Sequence, residues 1–99
     1  MEKRKTKVKQ KEGSPWKIGE NYMIRTVTMI QVGTLVDVTE KELVLEDASW
    51  VADTGRFHEF ITKGEVDEVE PFPTGQVIVG RGALIDACKW KHALLVSQK

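Results

Sequence analysis

The chain has 99 residues, 15 basic and 15 acidic, with 40% hydrophobic residues, three Trp and one Cys. That length fits one small domain with a compact core, and a single cysteine excludes an internal disulfide and a multi-cysteine zinc site. No apolar run approaches the length needed to span a bilayer, and no signal-type apolar core follows the charged amino terminus, so a cytoplasmic, reducing compartment is expected.

The zero net charge is unevenly placed. Lys3, Arg4, Lys5, Lys7, Lys9 and Lys11 face only Glu2 and Glu12 within residues 1–12, a balance of +4 that leaves the remainder at −4. Residues 1–15 lack periodicity and close on Gly13-Ser14-Pro15, which reads as a flexible basic arm ahead of one domain over residues 16–99. Such an arm either reaches for phosphates or an acidic neighbouring subunit, or is simply solvated.

From Asn21 the pattern turns to β. Tyr22 to Val32 is rich in β-branched and aromatic residues, with apolar side chains on both faces, which predicts a strand covered on both sides. Gly33 interrupts the run, suiting a turn or a sharp bend. Leu35 to Val38 is expected to pair with Leu43 to Val51 through the turn Thr39-Glu40-Lys41-Glu42.

Asp53 or Thr54 is placed to cap a short helix running to Ile61 and ended by Gly64. Phe57, Phe60 and Ile61 would share its buried face. The acidic stretch Glu65 to Glu70 suits a short edge strand whose charges discourage edge-to-edge pairing. Pro71-Phe72-Pro73-Thr74-Gly75 then turns into two more strands over Gln76 to Ala87, with Arg81 between two glycines. Trp90 to Val96 leaves strand and short helix equally open.

The segments Gly33-Thr34-Leu35-Val36-Asp37-Val38, Leu43-Val44-Leu45-Glu46-Asp47 and Val79-Gly80-Arg81-Gly82 resemble the two motifs of the Sm-like family, which includes Sm, Lsm and Hfq proteins. In the first motif a glycine lets a strand bend and an aspartate precedes a turn. In the second an arginine–glycine pair forms the turn between the last strands. The resemblance covers about half the chain and implies a mainly β, five-stranded SH3/Sm-like barrel, with one short helix in an insert and the flexible basic N-terminal arm. It also implies a homo-oligomer, with a ring among the assemblies, that binds RNA or nucleotides.

Two features depart from the family pattern. Its first turn carries a base-contacting asparagine that Thr39-Glu40-Lys41-Glu42 lacks, and the insert at 52–75 separates the motifs widely. Lys91-His92-Ala93 is similar to a tripeptide of Hfq, but it lies too far past Arg81-Gly82 to belong to the same turn. Ala52-Asp53-Thr54-Gly55-Arg56-Phe57 and Val79 to Ala83 also look like segments of uncharacterised small phage and prophage proteins.

No convergent acid, base and nucleophile is apparent, so a non-catalytic protein without metal or cofactor is expected. Cys88 reads as a packed small hydrophobe and His58 as a solvated helix residue. Gly80-Arg81-Gly82 reads either as a tight turn using positive φ at glycine, or as a contact that presents Arg81 to a phosphate or base. Lys41 would join it at a subunit interface or pore, and Arg56 at a helix start is a further anion-binding candidate. Tyr22, Trp50 and Trp90 serve either as core or as base-stacking platforms. The functional expectation is an RNA- or nucleotide-binding module. The alternative is a phage accessory or virion protein that docks onto other proteins through its arm and a sheet edge.

Overall fold

The computed structural model describes residues 14–73 and 75–99. The basic residues Lys3 to Lys11 of the expected arm lie outside them. The described chain is mainly β: β1 (Asn21–Thr26), β2 (Ile30–Val38), β3 (Glu42–Asp53), β4 (Glu68–Pro71), β5 (Gln76–Gly80) and β6 (Leu84–Lys89). One helix, α1 (Phe57–Lys63), stands between β3 and β4, and a single 3-10 turn, Arg81–Ala83, joins β5 to β6.

All six strands form one antiparallel sheet in the order β4-β3-β2-β1-β6, with β5 also on β3. The register explains the branch. Strand β4 pairs with Ser49 to Asp53 of β3, and β5 pairs with Glu42 to Glu46 of the same strand. Thus β4 and β5 lie in one lane beside the twelve-residue β3, β4 ending at Pro71 and β5 beginning at Gln76. Pro73 in the gap has no N–H to give to a ladder, and Gly75 turns at φ 78°. The expectation of a closed five-stranded barrel is corrected here: the strands occupy five lanes, but among the described residues no ladder joins the β4–β5 lane to β6, so the sheet stays open.

The interruption lies beside a crease in the neighbouring strands. Asp47 of β3 has φ 51°, a left-handed conformation that Asp tolerates better than most residues. Opposite it, the β2 register shifts between Val32 and Thr34, around Gly33. Gly33 therefore sits inside a bent strand and does not end one. The break lies earlier, at Val27–Met29, where the Thr26 N–H donates to the Met29 carbonyl at 2.8 Å.

Bending lets the sheet bury apolar side chains on both faces. Tyr22, Ile24, Leu35, Leu43, Leu45 and Val79 form part of the first core, with Trp16 packed at its margin. Met23, Val32, Val51 and Val69 emerge on the other face, where Phe60 of α1, Val66 and Trp90 cover them. The expected two-sided burial of β1 thus holds, and its outer cover comes from the insert and the C-terminal segment.

Helix α1 starts at Arg56 with no side-chain cap. Asp53 instead accepts from the Gly55 N–H at 2.8 Å, and the Thr54 hydroxyl donates to the Gly55 carbonyl at 2.7 Å, so neither caps the helix. Gly64 ends it at φ 74°, ψ 22°, its N–H donating to the Phe60 carbonyl, as the sequence predicts. Phe60 is fully buried, whereas Phe57 is exposed. The acidic stretch forms a strand only over Glu68–Pro71. Beyond Trp90 the chain is neither strand nor helix, but Lys99 and Val69 exchange backbone hydrogen bonds of 2.9 and 3.0 Å at the outer edge of β4. Among the described residues no helix is long and apolar enough to cross a membrane.

Candidate ligand-binding site

Two turns meet at the end of the sheet where β2 leads into β3 and β5 leads into the 3-10 turn. In the first, the Thr39 N–H donates to the Glu42 carbonyl at 2.9 Å. The Thr39 hydroxyl accepts from the Glu42 N–H at 3.0 Å and the Lys41 N–H at 3.3 Å. A threonine that accepts from backbone a few residues on is a compact way to close such a turn. In the second, β5 ends with Gly80 opposite Glu42, which delivers Arg81 to the first turn.

Arg81 then ties the two together. Its backbone N–H donates to the Lys41 carbonyl at 2.9 Å, and its Nη1 donates to the Thr39 carbonyl at 2.6 Å. One guanidinium N–H is committed by that bond, and the fork has others to offer. Arg81 is half-buried, and Lys41 beside it is exposed between exposed Glu40 and Glu42. The local charge is therefore balanced rather than strongly positive.

The flanking glycines do not serve φ. Gly80 has φ −70°, and Gly82 is not among the positive-φ residues, which corrects the expectation of a turn built on glycine's left-handed freedom. A Cβ at either position would meet nothing within 4 Å. Their effect is to leave open space on both sides of Arg81.

The structure thus brings Arg81, Gly80, Gly82 and Lys41 together. It sets Arg56 apart, exposed at the start of α1 and following the opposite end of β3. A seven-residue helix without a side-chain cap gives Arg56 no defined anion pocket. Thr39 is the residue that sequence reasoning missed. Its signal in the sequence is a hydroxyl at the first position of a four-residue turn.

The aromatic candidates divide. Tyr22 and Trp90 belong to the two cores, and the Tyr22 hydroxyl accepts from the Lys17 N–H at 2.8 Å and donates to the Pro15 carbonyl at 3.2 Å. Trp50 alone of these three is 38% exposed, on β3 and away from Arg81. His58 is exposed on α1, as expected.

Cys88 is exposed on β6, which corrects its reading as a packed hydrophobe. Enough protein surrounds its sulfur for burial to push the thiol pKa up, and the Asp86 carboxylate raises it further. His92 is held by a 2.8 Å contact between Nε2 and the Ile61 carbonyl. Among the described residues no group of three or more His, Cys, Asp or Glu is placed to hold a metal ion.

No family model, curated protein or solved structure matches this chain. The Sm-like resemblance therefore rests on the motif residues themselves.

Proposed function

We propose that this chain is a non-catalytic binding module for RNA or nucleotides, with its contact at Arg81, Lys41 and the open flanks of Gly80 and Gly82. The observation that carries the reading is the Arg81–Thr39 hydrogen bond, which fastens the second motif's turn to the first motif's turn. A guanidinium oriented by one fixed bond is pre-organised to offer its remaining N–H groups to a base edge or phosphate. Glu40 and Glu42 oppose a long phosphate track, so the favoured ligand is one or a few unpaired nucleotides. The 3-10 turn between β5 and β6 and the lane order support kinship with the SH3/Sm-like architecture, opened at one seam.

The same reading includes a cytoplasmic homo-oligomer. The outer edges of β5 and β6 have no strand partner among the described residues, and Ile78 and Ile85 on them are 63% and 60% exposed. Strand addition by a second copy would cover both edges and bring several Arg81 side chains together. The test is native mass spectrometry of the gently purified full chain, followed by fluorescence anisotropy with short single-stranded RNA and mononucleotides. Saturable binding that Arg81→Ala weakens about tenfold, and that falls with salt, is expected. Equal binding by the variant overturns the site, and a monomer at working concentration overturns the assembly.

The exposed edge of β5 also favours a second reading, a phage accessory or virion protein that docks onto other proteins. It requires no nucleotide affinity, and removal of residues 1–15 should abolish docking onto the partner.

A further inference from the structure

A groove of about 470 Å³ lies between the last turn of α1 and the end of β6, and neither Arg81 nor Lys41 lines it. Its lining is Ile61, Thr62, Cys88, Lys89, Lys91 and His92. Apart from the arm the chain carries a charge of −4, yet no carboxylate lines this groove, and two ammonium groups do.

The walls are fixed. A Cβ on Gly64 would lie 2.7 Å from His92 Cγ, so the imidazole packs directly on the helix end. Trp90 meets the same ring edge-on with centroids 4.9 Å apart. Because the Ile61 carbonyl can only accept, His92 Nε2 carries the proton of their 2.8 Å bond. The Thr62 hydroxyl donates back to the His58 carbonyl at 2.7 Å. These groups therefore shape the groove more than they offer charge to it.

The two lysines differ. Lys89 is paired with Glu20 at 2.7 Å, whereas Lys91 is exposed and has no ion-pair partner among the described residues. We propose that this groove binds a small organic anion with an apolar body, its head held by Lys91 with Lys89 beside it and its body laid against Ile61. An ammonium acts on such a head as a flexible point charge, and the half-buried Ile61 gives the body an apolar surface to cover.

Octanoate is a suitable probe, with octanol and inorganic phosphate as the two halves of its chemistry. Titration into the full-length protein, followed by backbone amide shifts, should give saturable changes at Thr62, Cys88 and His92. Lys91→Glu should weaken octanoate about tenfold, and Lys91→Gln less, with the rest of the spectrum unchanged as the check on folding. Octanol binding as tightly as octanoate would overturn the anionic head, and phosphate binding as tightly would overturn the apolar body. No saturable shift, or equal octanoate binding by Lys91→Glu, would overturn the site. Arg81→Ala should leave the titration untouched, which separates this groove from the nucleotide reading.

Discussion

Gly33 and Ala48 approach so closely across β2 and β3 that a Cβ on residue 33 would lie 3.0 Å from the Ala48 methyl and 3.2 Å from the Glu46 carbonyl oxygen. With the Ala48 Cα at 3.1 Å, all three close contacts are to backbone or to a methyl fixed on it, so neither side can swing away. Gly33→Ala should destabilise the fold by about 1–3 kcal/mol, the usual range for an overpacked site. Urea denaturation checks this, and an unchanged midpoint would mean that the crease opens freely.

Gly64 combines a left-handed backbone at φ 74° with the packed ring of His92. Gly64→Ala should cost about 1–3 kcal/mol from the backbone conformation alone, and the added methyl should also push His92 off the helix end. Hydrogen exchange would show faster opening of α1 and of residues 90–99 together. Faster exchange confined to α1 would refute their coupling.

Much of this was legible in the chain. Gly64 announced its helix end, and the two motif turns were placed correctly because polar turn chemistry is local. The crease was harder to see. Gly33 suits a turn or a sharp bend equally well in the sequence, and the structure has the bend, while the actual hairpin turn at Val27–Met29 is made of residues that favour strands. The interrupted lane was hidden for a different reason: the continuity of β4 with β5 appears only once both lie along β3, and no local pattern encodes a shared neighbour. The groove beside His92 likewise depends on α1 and the C-terminal segment meeting across thirty-one residues.

Arg25 and Asp86 form a two-pronged pair across β1 and β6, with Nε to Oδ1 at 2.7 Å and Nη2 to Oδ2 at 2.5 Å. Hydrogen bonds from Arg25 hold the Asp86 carboxyl below its ordinary range, Coulomb attraction adds to this, and partial desolvation opposes it. A depressed folded pKa means that the stabilisation is present above the unfolded value of about 3.9 and is lost as pH falls through the lower folded value. Asp86→Asn should therefore make the acid limb of the stability curve shallower and leave its alkaline limb in place. Because both partners are solvent-exposed, the difference should be small and should shrink in 1 M salt; an acid limb of unchanged slope would show that the pair has no part in it.

Cys88 presents a surface thiol whose proton is held more tightly than usual, by burial first and by Asp86 second. At pH 7.5 its alkylation by iodoacetamide should be slower than that of free glutathione, since the thiolate is the nucleophile. Asp86→Asn should speed the reaction. A rate above that of glutathione would contradict the raised pKa.

The second core has a temporal consequence. Its sheet face, Met23, Val32, Val51 and Val69, is built from strands that are synthesised before residues 90–99, yet Trp90, Leu94 and Leu95 supply part of its cover. On the ribosome the strands can pair while this apolar face is covered only by Phe60, Ile61 and Val66. A nascent chain stalled before Trp90 should accordingly recruit a chaperone that binds exposed hydrophobic segments, and release it once the tail has emerged and Lys99 has zipped onto Val69.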